Sequence, residues 1–182
     1  MSEMLSLKNA AVVVTGATGF IGSHLIDYLV GQGCTIHALV RETSDQRWLN
    51  KSGQVKIHVV DLAQSSSISC LEKADYLFHC AGLTKAKTRD DYFCGNVYSC
   101  EVLYERCVAI GGNLKAIVHL SSLAAAGPSA QGEAVQEKNP CKPVTYYGES
   151  KLAGEKIALK YASSLPIVII RPPVVYGPRE KN

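Results

Sequence analysis

The amino-acid sequence predicts a doubly wound α/β domain, in which helices cover both faces of a parallel β-sheet. Six short apolar runs, rich in β-branched residues, alternate with longer segments of helical periodicity, as successive βαβ units require. The composition, with 47% hydrophobic and 19% charged residues in a chain of 182, is typical of an ordinary globular domain. One domain over residues 1–182 is therefore expected.

The elements follow one another in βα order. The first strand is predicted at residues 10–15, a continuous apolar run that ends at Gly16. The next segment, residues 20–30, has apolar residues at helical spacing and is followed by Gly31 and Gly33, so it predicts a helix. The remaining predictions are strands at 35–40, 55–60, 74–80, 115–121 and 166–171, and helices at about 92–110 and 146–162. Residues 42–54 and 128–144 are polar connections, and the second is long enough to suggest a functional loop.

Charge and apolar content argue against several partners and locations. The net charge of +3 arises from scattered Lys and Arg, so nucleic-acid binding is not predicted. Apolar stretches such as residues 167–170 are far shorter than a membrane helix, and the N-terminus lacks the basic segment of a signal peptide. The seven cysteines form no C-x-x-C pair and are odd in number. A cytoplasmic protein with free thiols and no metal site is expected.

A glycine-rich turn follows the first strand. The segment Thr15-Gly16-Ala17-Thr18-Gly19-Phe20-Ile21-Gly22 has the pattern G-x-x-G-x-x-G and opens a helix. Glycines at this spacing allow a sharp turn and a close approach of a pyrophosphate to the backbone, beside the positive end of a helix dipole. A simple strand-to-helix turn is the alternative. The position between a buried strand and an amphipathic helix favours a dinucleotide site.

The end of the second strand bears on the choice of dinucleotide. Dinucleotide sites that select NAD usually place an acidic residue there to bind the ribose hydroxyls, whereas an Arg accommodates the 2′-phosphate of NADP. Here Val40 occupies the expected acidic position, and Arg41 follows it. NADP is therefore favoured, although a solvated Arg41 with Glu42 on the ribose would suit NAD. Asp61, at the end of the third strand, is suited to flank the adenine or to cap a helix.

A Tyr-x-x-x-Lys pattern and a pair of serines indicate acid/base chemistry. Tyr147 and Lys151 are four residues apart in a predicted helix and so lie on one face. A nearby ammonium favours the anionic form of a phenol, which suits it to proton transfer. Ser121 and Ser122 end the fifth strand, at the edge where open α/β sheets bind ligands, and a serine there is suited to hydrogen-bond a carbonyl or alcohol oxygen.

Together these motifs resemble the extended branch of the short-chain dehydrogenase/reductase superfamily, the NAD-dependent epimerase/dehydratase family. The resemblance rests on TGATGFIG at 15–22, DL at 61–62, HCAG at 79–82, NV at 96–97, SS at 121–122, YGESK at 147–151 and RPPVVYGP at 171–178. It covers nearly the whole chain and implies a Rossmann fold that binds NAD(P).

The resemblance also implies a role for each matching residue. Tyr147 would be the acid/base, Lys151 would hold the nicotinamide ribose, and Ser122 would orient the substrate oxygen, with Ser121 as the second choice. The remaining cofactor contacts would come from the pyrophosphate loop, the adenosine side, the strand under the cofactor and the nicotinamide side: Gly16, Thr18, Gly19, Phe20, Ile21 and Gly22; Arg41, Asp61 and Leu62; Ala81 and Gly82; Asn96 and Pro172. Asn96 as a plain helix residue and Pro172 as a strand terminator are the structural alternatives.

Two departures from the family pattern narrow the reaction. Dehydratases of the family place an Asp-Glu pair after the strand-end serine or threonine, but Ser122 is followed by Leu123 and two alanines, so dehydration is disfavoured. After Asn96-Val97, Ser99-Cys100 replaces the usual Gly-Thr, a change expected to affect packing.

The open choices are an epimerase of nucleotide sugars, an NADPH-dependent carbonyl reductase resembling dihydroflavonol reductases or hydroxysteroid dehydrogenases, and a non-catalytic NADP-binding module. Lys85 or Lys87 in the polar loop 83–91 would suit a diphosphate but is equally suited to solvent.

The length of the chain bears on the substrate pocket. Members of the extended branch continue well beyond the RPPVVYGP-type motif, with a lobe that closes over the substrate, and this sequence ends at Asn182. The expectation is a cofactor domain with the three catalytic side chains and weak turnover by itself. Exposed apolar surface would then need a partner, of which a homodimer is one form.

Overall fold

The fold is a single parallel sheet with helices on both faces, as a computed structural model of the chain shows. The model describes residues 7–63, 68–111, 113–129 and 133–180. The strands are β1 (Ala11–Thr15), β2 (Thr35–Val40), β3 (Val55–Val59), β4 (Tyr76–His79), β5 (Ala116–Leu120) and β6 (Ile167–Ile170). The helices are α1 (Phe20–Gly31), α2 (Arg89–Phe93), α3 (Ser99–Ile110) and α4 (Tyr146–Tyr161), with 3₁₀ turns at Ser69–Lys73 and Leu123–Ala125. The prediction of a doubly wound Rossmann-type domain is confirmed.

The strand order creates a crevice at the middle of the sheet. The order is β3-β2-β1-β4-β5-β6, so the chain builds outward from β1 in one direction and then crosses to build outward in the other. Thr15 at the end of β1 pairs in register with His79 at the end of β4. The loops that follow these two strands therefore diverge, and ligands bind in such a crevice in open α/β sheets.

Apolar side chains of the central strand pack on both faces of the sheet. Val12, Val13 and Val14 of β1 are fully buried. Val13 joins a core with residues of α3, α4 and β5, whereas Val12 and Val14 join a second core with Ile26 of α1 and the opposite side of β2. Burial on both faces explains why the strand is a continuous apolar run instead of an alternating one.

The helix predicted at 92–110 begins earlier and is not regular. It begins at Arg89 because Thr88 and Asp91 form a capping box, in which each side chain accepts a hydrogen bond from the backbone N–H of the other. The segment Cys94–Tyr98 is a π-helical turn between α2 and α3. π-Turns inserted into α-helices are frequent at functional sites, and this one carries Asn96. The other boundaries match the prediction or differ from it by at most two residues.

Three further expectations concern the whole chain. None of the helices in the described ranges is long and apolar enough to cross a membrane. All seven cysteines are free thiols, as expected. Residues 1–6, considered for a signal peptide, residues 130–132 of the predicted loop and residues 181–182 lie outside the described part of the chain.

Candidate active site

Two adjoining cavities occupy the crevice between the carboxyl ends of β1 and β4. One, of about 680 Å³, extends to the ends of β2 and β3. The other, of about 1080 Å³, extends towards the ends of β5 and β6. Their walls share Thr18, Gly19, Cys80, Gly82 and Lys85. The two cavities therefore form one elongated cleft across the edge of the sheet, with the glycine-rich turn at its middle.

The glycine-rich turn brings backbone against backbone at the centre of the cleft. Gly16 has a φ of +65°, and a Cβ there would lie 2.6 Å from the backbone nitrogen of Ala81. A Cβ on Gly22 would lie 2.2 Å from the carbonyl oxygen of Gly16, so only glycine lets α1 begin this close to β1. The N-cap of α1 is Gly19, which has no side chain to cap the first N–H groups. An anion such as a pyrophosphate can take that place.

Residues at the ends of β2 and β3 line the smaller cavity. Arg41, Asp61 and Leu62 are all on its wall, where the prediction placed the adenosine half. The backbone N–H of Arg41 donates to Ser44 Oγ at 3.0 Å, which holds the chain in a turn. Asp61 Oδ1 accepts from the backbone N–H of Ala63 at 3.0 Å. This bond explains the position of Asp61 by local turn geometry alone, without a ligand.

Ser122, Tyr147 and Pro172 line the larger cavity. Thr145 caps α4 by accepting from the backbone N–H of Gly148 at 3.0 Å, which places Tyr147 in the first turn. A Cβ on Gly148 would lie 2.4 Å from the carbonyl oxygen of Ala124, so α4 begins in close contact with the turn that follows Ser122. The fold thus brings the predicted serine and tyrosine to one cavity from positions 25 residues apart in the sequence.

The two strand-end serines have different environments. The Ser121 hydroxyl is buried and donates to the carboxylate of Glu155. Ser122 Oγ, which is half-buried, accepts from the backbone N–H of Ala124 at 3.2 Å. A hydroxyl that accepts one bond keeps its proton for donation to another group. Ser122 is therefore the better placed of the two to bind a ligand oxygen.

Lys151 lies directly behind the wall of the cleft, one helical turn after Tyr147. Its side chain is buried, and Nζ donates to the carbonyl oxygen of Leu120 at 2.7 Å. Nζ is also 3.6 Å from the position that a Cβ on Gly82 would occupy. Burial lowers the pKa of this ammonium, and the nearby thiol of Cys100 and carboxylate of Glu155 partly oppose that shift.

Asn96 connects the loop after β4 to α4. Its Oδ1 accepts from the backbone N–H of Leu83 at 2.6 Å, and its Nδ2 donates to the Leu83 carbonyl at 3.0 Å and to Ser150 Oγ at 2.9 Å. The residue is buried, so its amide positions the cleft wall from behind. Three of the predicted site residues occupy this position behind the lining residues: Gly22, Asn96 and Lys151.

The fold also brings residues outside the predicted catalytic and cofactor-binding set to the cleft or to the structure behind it. Arg171 and Glu155 form a bidentate ion pair, in which Nε and Nη2 of Arg171 donate to the two carboxylate oxygens at 2.8 and 2.6 Å. Glu155 lies one helical turn after Lys151 in α4, a spacing visible in the sequence. Its partners, Ser121 after β5 and Arg171 after β6, are brought to it by the tertiary fold. Arg179 lines the larger cavity and forms an ion pair with Asp27 of α1 at 2.7 Å. Lys85, one of the two lysines considered for a diphosphate, is on the wall of both cavities.

A comparison with protein families matches residues 12–182 to the NAD dependent epimerase/dehydratase family. The chain belongs to this family. A ceramide reductase from Caulobacter vibrioides is 32% identical over 176 residues, which are 96% of this chain and 49% of that protein. The chain spans about half the length of the curated relatives it matches.

Solved structures of epimerases share the fold of this family member. A UDP-glucuronic acid 4-epimerase from Bacillus cereus in complex with NAD is 27% identical with a TM-score of 0.82, and the match covers 94% of this chain and 59% of that one. A UDP-N-acetylglucosamine 4-epimerase from Methanobrevibacter ruminantium in complex with UDP-N-acetylmuramic acid is 27% identical with a TM-score of 0.85, covering 96% of this chain and 58% of that one.

Proposed function

We propose that the intact protein transfers hydride between a nicotinamide dinucleotide and a secondary alcohol or ketone, with a nucleotide sugar as the first candidate substrate. The observation that carries this proposal is the single cleft that joins the glycine-rich turn to Ser122 and Tyr147, with Lys151 behind it. The cleft suits a dinucleotide because the start of α1 lies at its centre without a side-chain cap. The glycines of the preceding turn leave room for a pyrophosphate to approach the backbone N–H groups there. The bound nicotinamide would accept or supply the hydride.

Three side chains of the chain would handle the proton. The Tyr147 hydroxyl would take the proton of the substrate alcohol or return it to the ketone oxygen. Ser122 would donate a hydrogen bond to the same oxygen, which holds it beside Tyr147. Lys151 would leave the Leu120 carbonyl to hold the nicotinamide ribose, and its positive charge would stabilise the negative charge that develops on the substrate oxygen and the Tyr147 oxygen during proton transfer.

Two reactions are compatible with this machinery: epimerisation and one-way reduction of a carbonyl group. The similarity to UDP-sugar 4-epimerases supports a nucleotide sugar. The similarity to a ceramide reductase supports a carbonyl reductase instead. Dehydration is not proposed, because Ser122 is followed by Leu123 and two alanines, with no carboxylate to eliminate water.

Net consumption of nicotinamide separates these two reactions. An epimerase returns the hydride to the opposite face of the same substrate, so NAD(P)H does not accumulate or disappear. The intact protein should be incubated with UDP-glucose, UDP-glucuronic acid and small ketones, and both the sugar products and the nicotinamide absorbance should be followed. Epimer formation without net nicotinamide change supports the epimerase, and stoichiometric NADPH loss with a ketone supports the reductase. The proposal would be contradicted if no substrate of these classes gave either epimer formation or nicotinamide turnover.

Arg41 supports a preference for NADP. Its side chain is exposed on the wall of the adenosine side, where the 2′-phosphate would lie. Arg41→Ala should weaken NADPH binding about 10- to 100-fold, as expected for loss of a charge-assisted hydrogen bond, and leave NADH binding unchanged. Fluorescence titration measures both affinities. Arg47→Ala is a matched control, since Arg47 is exposed and pairs with Asp45 outside the cleft lining. Equal losses for NADPH and NADH would contradict a 2′-phosphate role.

A further inference from the structure

A group of metal-binding side chains lies on the sheet away from the cleft lining. It consists of His37 in β2, His58 in β3 and Cys70 in the 3₁₀ turn Ser69–Lys73. The rings of His37 and His58 are tilted, with their centroids 5.1 Å apart, and Nδ1 of His37 lies 2.9 Å from Nε2 of His58. Each residue offers one ligand atom, and the three atoms all lie within 4.8 Å of one another.

The parallel register of two strands explains this convergence. His37 pairs with Lys56, and His58 lies two residues further along β3, so both imidazoles project from the same face of the sheet. Leu39, two residues after His37, packs in the same core as Cys70. The 3₁₀ turn therefore lies against this face and presents the thiol to the two rings.

The chemistry of the three groups suits a transition metal. An imidazole binds a metal ion through the lone pair of one ring nitrogen, and His37 and His58 each have such a nitrogen directed at the other ring. Two imidazoles and one thiolate form a ligand set typical of Zn²⁺, at distances of about 2.0–2.1 Å for nitrogen and 2.3 Å for sulfur. Both histidines are half-buried, so an ion can enter from solvent and water can complete its coordination.

We propose that His37, His58 and Cys70 bind a divalent transition-metal ion, preferentially Zn²⁺, with water as the fourth ligand. On binding, the His37–His58 hydrogen bond opens and each ring donates a lone pair to the ion. The Cys70 S–H bond breaks, the sulfur binds as thiolate, and the proton leaves to solvent. The ion would tie the β2–β3 edge to the 3₁₀ turn, on the side of the sheet that leads to Arg41 and Asp61.

A second group of similar composition is less suited to hold an ion. His79, Cys100 and His119 also place their ligand atoms within 4.8 Å of one another, but all three are fully buried. Burial lowers the pKa of both histidines, and the nearby ammonium of Lys151 lowers the pKa of each further. A second cation beside it in a region of low dielectric would be strongly repelled. Near His37, by contrast, the neighbouring cation Lys56 is exposed, so solvent screens its charge.

Cobalt provides a direct test, because Co²⁺ replaces Zn²⁺ at such sites and a thiolate–cobalt bond gives a charge-transfer absorption. The intact protein, reduced and free of metal, should be titrated with Co²⁺ and then with Zn²⁺. We expect a saturable absorption with one Co²⁺ per chain, which Zn²⁺ removes. Cys70→Ser should abolish the absorption, and His58→Gln should weaken Co²⁺ binding about tenfold or more.

Matched variants show which thiol binds. Cys94→Ser and His24→Gln, which change an exposed thiol and an exposed imidazole, should leave the titration unchanged. Circular dichroism of each variant confirms that it is folded. No thiolate absorption in the folded wild-type protein would overturn the proposal. Absorption that survives Cys70→Ser but disappears in Cys100→Ser would overturn it in favour of the buried group.

Discussion

Replacing Tyr147 with Phe in the intact protein should lower kcat by about 10²- to 10⁴-fold, the usual contribution of a general acid/base. The change removes one hydroxyl and leaves the ring, which lies 6.0 Å from the ring of Tyr92 between centroids. The glycine-rich turn and the adenosine side of the cleft are untouched. Affinity for NADPH or NADH should therefore stay within about twofold of the wild type, since the lost group acts mainly in the chemical step.

The neighbouring tyrosine provides the control. Tyr146 precedes Tyr147 in the same helical turn and is largely exposed, so Tyr146→Phe should retain wild-type kcat. Steady-state turnover with the substrate found by the nicotinamide assay, together with cofactor titration, measures both effects. Wild-type turnover by Tyr147→Phe would exclude this residue as the acid/base. A parallel loss of cofactor binding would show that its role is structural.

Replacing Glu155 with Ala should lower the free energy of unfolding by about 3–5 kcal/mol, the cost of breaking a buried ion pair by removing one partner. Glu155 is buried, and its carboxylate accepts from Ser121 and from two nitrogens of Arg171. The change leaves the guanidinium of Arg171, itself about a quarter exposed, without its partner. It also frees the hydroxyl beside Ser122, so the end of β5 should loosen.

A glutamate of the same helix that forms an exposed ion pair with α2 provides the control for Glu155. Glu149 pairs with Arg89 at 3.0 Å across the surface, and Glu149→Ala should cost less than about 1 kcal/mol. Urea denaturation measures both variants. Glu155→Leu combined with Arg171→Met should recover much of the stability, because it removes both buried charges. Equal, small losses for Glu155→Ala and Glu149→Ala would contradict a structural role for the buried pair.

The same carboxylate should contribute to the acid sensitivity of the fold. Burial acts to raise the pKa of Glu155, but the hydrogen bonds from Arg171 and Ser121 and the charge of Arg171 hold it below its ordinary value. A carboxylate with a lowered pKa stabilises the folded state above the pKa it has when unfolded, and this contribution is lost as the pH falls through the folded value. The stability of Glu155→Gln should therefore change less than that of the wild type as the pH falls below about 4.5.

The features predicted from sequence are those that local patterns encode. The first strand and the glycine-rich turn that follows it were predictable because burial of β1 on both faces produces a continuous apolar run that ends at Gly16. Tyr147 and Lys151 were predictable because helical spacing places them on one face. The doubly wound parallel sheet was predictable from the βα alternation and the right-handed crossover, whereas the order of the strands comes from the structure.

The features that the sequence did not reveal depend on contacts between distant segments. Glu155 meets Arg171 and Ser121 only because α4 packs across β5 and β6, so no local pattern marks the pair. His37, His58 and Cys70 lack the short spacings typical of zinc sites, and the strand register brings them together. The π-turn at Asn96 has no helical-period signature, because it inserts a residue within an otherwise continuous helix.

The central claim, that the cleft built on the glycine-rich turn binds a nicotinamide dinucleotide, is tested most directly by calorimetric titration of this chain with NADP⁺ and NAD⁺. Saturable binding of one dinucleotide per chain is expected. Gly22→Ala should abolish it, because the new Cβ would collide with the Gly16 carbonyl, whereas Gly31→Ala should preserve it, because nothing lies within 4 Å of that Cβ. No binding by the folded wild-type chain, or equal binding by Gly22→Ala, would contradict the claim.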